Sequence, residues 1–439
     1  MHLTTASRQL QEALTKHIAT LSGTYCWEKT QRQAHSYFQK LGLPSAKTEG
    51  YKYTPITNVL SEKFDLSNPS AQIDASHSLT NNYIKPFLHQ LSDVYAITVI
   101  DGEINNTSLH SPLPQSLFHV SSFTEAYQKY QNIFTEHFSQ DISNNLDTLA
   151  ILNTALFTNG TFIYIPDNTR LDKPLCIYHF TDSTTQQKTT YPRVLIYVGK
   201  NSQISLINNW HTMGAYDGFT NAVTDILVGE HSQLDHYTLQ IQAGNAYQVN
   251  TIHCYQASHS IVNNYTFSWD GLLIRNNLYT DMQGPHAQVN MYGIYCPSQT
   301  QHIDNHTTVN HQHPNTESNQ LYKGILSGKA TGVFNGKIFV QSEAQKTNAF
   351  QTNNNILLSD EATIYTKPQL EIWADDVKCS HGATIGQLDE TQLFYLQARG
   401  IPENLARHML LHAFADEVIS KVPLVSLLDY LRENFKPGY

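Results

Sequence analysis

Two side chains near the C-terminus offer the sharpest chemistry in the sequence. In Val377-Lys378-Cys379-Ser380-His381-Gly382 a thiol and an imidazole are separated by one residue. On an extended strand such residues point to the same side, about 6.6 Å apart from Cα to Cα. A soft thiolate and an imidazole so placed can address one metal, one cluster or one partner surface. Two protein ligands do not close a metal site, so a partner would have to complete it. Spacing alone favours a structural reading, a buried Cys beside a hydrogen-bonded His. The second group is His302, His306, His311 and His313 with Asp304, inside twelve residues. It fits no helix face, and as strand residues His311 and His313 are the pair that share a side. It therefore reads as structural, a set of polar strand and turn residues making hydrogen bonds.

Several familiar engines are missing. Gly324–Lys329 and Gly332–Lys337 hold three residues between their glycines where a phosphate-binding loop has four, and no Ser or Thr follows either lysine. This chain is therefore expected to bind no nucleotide and to hydrolyse no ATP alone. The nucleophile-elbow, dinucleotide and zinc-protease signatures are absent too. Asp375 and Asp376 are adjacent, so on a strand they face opposite sides and make a poor catalytic carboxylate pair.

The elements that must position these residues change period twice along the chain. Leu10, Leu14, Ile18 and Leu21 fall at helical spacing, as do Trp27, Ala34, Phe38 and Leu41, before Gly42 and Pro44 stop the run. Tyr95 to Val99 with Asp101-Gly102 reads as a short hairpin. Further helices are expected at about 123–138 and 146–157, ended by Asn159-Gly160. From about 160 to 373 short β-branched and aromatic strands follow one another. Within them VGKNSQI (198–204) and VGEHSQL (228–234) are near copies thirty residues apart, weakly echoed by LSDEATI (358–364). A single-stranded β-solenoid is favoured over a sandwich. Thirty residues exceed the roughly 20–25 expected per turn, so Asn208–Gly218 is read as a longer turn that makes up the difference. The helical period then returns: Gln392–Ala398 is closed by Gly400. Pro402 opens a helix with Leu405, Met409, Leu410, Ala413, Phe414 and Val418 in one stripe, and Pro423 precedes a last helix carrying Leu427, Leu428 and Leu431. This divides the chain into a mainly helical N-terminal domain (1–159), a β-solenoid core (160–386) and a helical C-terminal domain (387–439).

Composition narrows the classes. Hydrophobic residues at 40%, with 25 Tyr and 18 Phe, supply material for a large core. A formal charge of −10 has the wrong sign for a nucleic-acid surface. The run Val94–Ile100 is too short for a membrane helix, and Met1-His2-Leu3-Thr4 opens no signal peptide, so a cytoplasmic chain without membrane or nucleic-acid partners is expected. Five scattered cysteines fit reduced thiols.

The run from Asp304 to Val340, then AQKTNAFQTNNNILLSDEA, KPQLEIWADDVKCSHGATIG and LFYLQARGIPENLARHMLLHAFADEV, resembles the SufB/SufD family of iron–sulfur cluster assembly proteins. The likeness is dense between about 300 and 420, and GLPSAKTEGYKYT (42–54) resembles the family's opening motif. CSHGATIG looks like the SufD branch, because the SufB branch more often has acidic residues on both sides of this histidine. The resemblance implies a right-handed parallel β-helix flanked by α-helical N- and C-terminal domains. It implies a non-catalytic scaffold that pairs with a SufB-like paralogue and docks a SufC-like ATPase on its C-terminal helices, with a nascent iron–sulfur cluster held transiently at the subunit interface. Carried over by motif, His381 is the interface histidine with Cys379 beside it. Val377 and Lys378 then lie on the paralogue contact, and Phe394, Tyr395, Arg399 and Gly400 on the ATPase-docking helices. Two other classes stand beside this reading: a β-solenoid carbohydrate-active enzyme, and a self-associating, metal-binding homodimer.

Overall fold

The computed structural model describes residues 5–66, 93–105, 116–139, 147–241 and 243–435, together with residues 84, 87, 88, 90, 91, 114 and 437. Helices α1 (Thr5–Thr20), α2 (Cys26–Leu41), α3 (Ile56–Lys63), α4 (Phe123–Phe138) and α5 (Thr148–Leu156) precede the main β body. Gly42 takes φ +67 at the end of α2, a conformation that favours glycine. Ser122 and Glu125 cap the start of α4 reciprocally, the backbone N–H of Glu125 donating to the Ser122 hydroxyl. The end of α5 differs from expectation. It stops at an extended Phe157 rather than through a left-handed glycine, and Gly160 is required because a Cβ there would lie 2.6 Å from the Phe123 ring.

The β body is a parallel solenoid of two facing sheets. Sheet A contains β1 (Tyr95–Ile100), β2 (Glu103–Ile104), β5 (Leu175–Asp182), β8 (Gln203–Met213), β10 (Gln233–Gln240), β12 (Ile261–Ser268), β14 (Gln288–Tyr295), β16 (Glu317–Leu326), β18 (Asn348–Leu357) and β20 (Lys378–Gly386). Sheet B contains β3 (His119–Ser122), β4 (Thr161–Ile165), β6 (Lys188–Thr190), β7 (Arg193–Val198), β9 (Gly218–Val228), β11 (Ala246–Gln256), β13 (Leu273–Met282), β15 (His302–His311), β17 (Thr331–Val340) and β19 (Thr363–Ile372). From β4 and β5 onward each coil gives one strand to each sheet, making eight coils. Ile163, Ile196, Ile226, Val262, Ile303 and Ile338 belong to the core they enclose.

Each coil spans from 26 residues (Tyr247 to Leu273) to 33 (Thr161 to Val194). The expected long turn at Asn208–Gly218 is therefore not one: Asn208 to Met213 completes the eleven-residue β8, and thirty residues is the coil itself. The near copies at 198–204 and 228–234 are true neighbours, with Val198 opposite Val228 and Gln203 opposite Gln233. LSDEATI lies at the other corner, between β18 and β19, and is not a third copy. At the repeated corner Asn168, Asn201, His231, His259, His286, Asn315 and Lys346 all adopt φ between 54° and 60°. Each donates its N–H to a carbonyl of the next coil, as Asn201 does to Glu230 (2.9 Å) and Asn315 to Gln345 (2.9 Å). Asn and His tolerate this left-handed region better than most residues, and six of the seven corner residues are Asn or His.

Helices α6 (Glu390–Gln397), α7 (Glu403–Ile419) and α8 (Val425–Asn434) close the C-terminus. Leu411, Ala415, Val418, Leu427 and Leu431 pack with Tyr237, Leu239, Tyr265 and Ile325 on the outer face of sheet A. Tyr265 donates to the carbonyl of Lys421 (2.9 Å), and Lys323 pairs with Glu417. The apolar stripe expected on α7 is divided: Val418 is buried, whereas Leu405, Met409 and Ala413 face outward. No described helix is long and apolar enough to cross a membrane.

Candidate functional site

The last strand of sheet A is the site's platform. In β20, Cys379 lies beside Ala349 and His381 beside Gln351, both interior residues of the preceding coil. Cys379, His381, Ala383 and Ile385 thus continue the interior side of the ladder, while Lys378, Ser380 and Thr384 continue the outer side. No later coil covers them. His381 is exposed, and Cys379 is half-buried against the end of the core together with Val377. Burial pushes the Cys379 thiol above its ordinary value, and a contact with the Ala349 backbone pulls against this. A thiol in that state is the weaker ligand of the two until a metal or partner deprotonates it.

Backbone polarity at this edge follows from one bond. Lys378 donates its N–H to the carbonyl of Thr347 (2.9 Å), inside the chain. Alternate residues of a parallel strand turn their amides to alternate sides, so Cys379, His381, Ala383 and Ile385 present theirs to the free edge. Lys378 is exposed, and with Val377, His286, Lys346 and Asp376 it lines a recess of about 520 Å³.

Three residues separate β20 from α6. Phe394 is 70% exposed and Tyr395 54%, and the Arg399 guanidinium lies 3.4 Å from the Tyr395 ring centroid. Gly400 ends the helix at φ +81 and donates to the carbonyl of Gln397 (2.9 Å). Leu405 and Met409 of the adjoining α7 add two exposed apolar side chains, so the C-terminal helices carry an uncovered aromatic and aliphatic surface.

Comparison with known proteins fits this architecture along the whole chain. The SufBD core domain of SUF-system iron–sulfur cluster assembly matches residues 180–414, and the SufBD N-terminal region matches 6–177. The chain belongs to the SufBD family. It is 30% identical to an iron–sulfur cluster assembly SufBD family protein of Synechocystis over 99% of this chain and 96% of that one. It is 28% identical to the iron–sulfur cluster assembly protein SufD of Escherichia coli over 92% and 90%. SufD of Bacillus subtilis is 24% identical over 83% and 86%. This membership sets aside the carbohydrate-active reading.

The SufBD fold also contains a charged knot that sequence reasoning missed. Arg275 is buried on the outer face of sheet B, 4.0 Å from the Tyr51 ring centroid, and donates to the Gly50 carbonyl at 2.7 Å and to Asp304 at 2.5 Å. Burial opposes ionisation of Asp304, but His306 and Arg275 hold its carboxyl well below the usual range. His306 Nε2 lies 2.9 Å from Asp304, and the Thr54 hydroxyl lies 3.0 Å from His302 Nε2. The motif at 42–54 thus clasps the N-terminal segment to the solenoid. His302, Asp304 and His306 share the outer side of β15, a grouping their even spacing carried in the sequence. His311 points inward, its two nitrogens within 2.8 Å of Thr316 and 2.9 Å of Ser318, and does not pair with His313. Among the described residues no group of three or more His, Cys, Asp or Glu is arranged to hold a metal.

Proposed function

We propose that this chain is a SufD-like, non-catalytic scaffold subunit of a cytoplasmic cluster-assembly complex. It pairs with a SufB-like paralogue along β20 and docks a SufC-like ATPase on α6 and α7. The nascent iron–sulfur cluster is cargo formed at the subunit interface, where His381 is the leading ligand or proton-handling group and Cys379 its neighbour. The observation that carries this reading is β20 itself, a bare strand edge without proline that turns four amides outward and sets an imidazole and a thiol on one face. A partner strand satisfies such an edge through main-chain hydrogen bonds, and the side chains between them meet the partner's. Without the paralogue, the same edge is free to pair with a second copy of the chain.

The test is anaerobic co-expression with SufB-like and SufC-like partners, reading subunit stoichiometry, iron and acid-labile sulfide. His381→Ala should assemble normally yet accumulate little sulfide, and Cys379→Ser should give a milder defect. Normal sulfide in the assembled His381→Ala complex would leave the histidine with no chemical role.

A further inference from the structure

The interior side of sheet A carries one continuous column across the coils. It runs His236, Asn264, Met291, Gln320, Gln351 and His381, each opposite the next in register. At its far end the hydrogen bonds have a direction. The Thr307 hydroxyl donates to Gln320 Oε1 at 2.8 Å, and Gln351 Nε2 donates to the same oxygen at 2.9 Å. Gln320 Oε1 therefore accepts twice, and the Gln351 amide nitrogen is committed to the coil before it. The two arms of a carboxamide diverge, which leaves Gln351 Oε1 for the coil after it. Among the described residues that buried oxygen accepts no hydrogen bond, and Gln351 as a whole is 1% exposed. Such an acceptor is costly unless something donates to it. Gly336 packs against the same amide, so closely that a Cβ there would sit 2.1 Å from Gln351 Nε2.

The next residue of the column is His381, on the same side of the neighbouring strand. We propose that Gln351 is the positioning residue for His381: its Oε1 accepts a hydrogen bond from one ring N–H, fixes the tautomer, and leaves the other nitrogen as a lone pair directed to the cargo. Ligating imidazoles are commonly oriented this way, by donating their second nitrogen to a fixed acceptor. The chain Thr307–Gln320–Gln351 thus imposes the polarity of the coil interior on the interface histidine. This inference rests on the reading of His381 as a cargo-facing group, and the two can be separated by experiment.

The full chain, labelled with ¹⁵N-histidine, is read by long-range ¹⁵N–¹H correlation, with the His381 signals identified by their loss in His381→Ala. The expected result is one dominant tautomer in the native chain, a mixture in Gln351→Leu, and recovery of the single tautomer in the near-isosteric Gln351→Glu, which keeps an acceptor in place. In the co-expressed complex, acid-labile sulfide should fall about tenfold or more in Gln351→Leu and less in Gln351→Glu. An unchanged tautomer in Gln351→Leu, or a mixture already present in the native chain, overturns the proposal even if sulfide falls. A tautomer change with normal sulfide supports the positioning role and instead overturns the assignment of His381 to the cargo. Should Gln351→Leu fold poorly, Gln351→Met and Gln351→Glu carry the same comparison.

Discussion

The two ends of the solenoid are built on the same ladders and finished in opposite ways. At the N-terminal end β2 lies antiparallel on β1 in sheet A, and β3 lies antiparallel on β4 in sheet B. At the C-terminal end no described strand pairs with the outer edge of β19 or β20. Even there the two edges differ. Thr363 of β19 and Trp373 just after it donate inward to Ala330 and Val340, so the even residues between them turn outward, and one of these is Pro368, which has no N–H to offer. Sheet B's edge is blunted where sheet A's is complete. Natural sheets blunt edges they do not use, so the edge left whole is the one that suits the pairing proposed above. The same contrast separates residues that hold the fold together from residues that present a surface.

Arg275 tests the first kind. It neutralises Asp304 at the centre of the knot, also lies 3.9 Å from Asp147, and ties both to the 50–54 segment. Arg275→Met keeps much of the side-chain volume but strands buried carboxylates, so stability should fall by about 3–5 kcal/mol, read as a shift in the denaturant midpoint. A midpoint unchanged from the native chain would mean that the knot is ornamental and that the distinction between closed flank and open end is drawn in the wrong place.

Acid should find the closed interior next. Burial pushes His179 and His236 down to about 4 and His311 down to about 3. Folded pKa values below the unfolded one mean that the unfolded chain binds more protons across this range, so this stabilisation is complete above about pH 6.5 and is lost on acidification. Asp101 acts in the opposite sense, since burial pushes it up to about 6. Near pH 5 the balance of these four groups is about two protons, or about 2–3 kcal/mol per pH unit. Denaturant midpoints at pH 7, 6 and 5 should decline with growing steepness, and a flat profile would show that the interior imidazoles are not held neutral.

The open end should respond in assembly rather than stability. Ala383 turns its amide to the free edge, so Ala383→Pro removes a donor that the proposed partner strand would use while leaving the bonds to β18 in place. Affinity for the SufB-like chain should fall about tenfold, with the denaturant midpoint nearly unchanged. Lys378→Pro would blur the comparison, because that amide serves Thr347 within the chain. Deleting everything after residue 387 would blur it further. It would uncover the apolar outer face of sheet A against which α7 and α8 pack, whereas exposed Phe394 can be changed to Asp without touching that core.

Much of this was legible in the sequence where a local rule applied. The helix expected at about 123–138 is Phe123–Phe138, and the repeated corner announced itself because a left-handed turn admits few residue types. The pairing of Cys379 with His381 needed only the two-residue period of a strand. The coil length was misread because Asn208 looks like a turn residue, yet it is buried, accepting from His179 Nε2 at 3.0 Å and donating to His236 Nε2 at 2.8 Å. A polar ladder inside a solenoid hides its strand from any hydrophobic pattern. The α7 stripe misled for the opposite reason, since half of it covers sheet A and half remains outside. Arg275 was illegible because its partners at 50, 51, 147 and 304 come together only in the folded chain.

The smallest expected effect is the most exacting check on the site. Ser380 lies between Cys379 and His381 in sequence but beside Phe350 in register, on the outer side of β20, and it is exposed. Ser380→Ala removes a hydroxyl with no partner inside the fold's core, so stability should move by no more than about 0.5 kcal/mol, and subunit stoichiometry and sulfide should match the native complex. The value of this silence lies in register. A slip of β20 by a single residue would send every side chain to the opposite face, bringing Ser380 inward beside the Gln351 column and turning Cys379 and His381 out of it. A sulfide defect in Ser380→Ala together with a silent His381→Ala would mean that the strand pairs one residue out of the alignment described above. The reverse pattern requires the alignment in which Ala349 lies beside Cys379 and Gln351 beside His381.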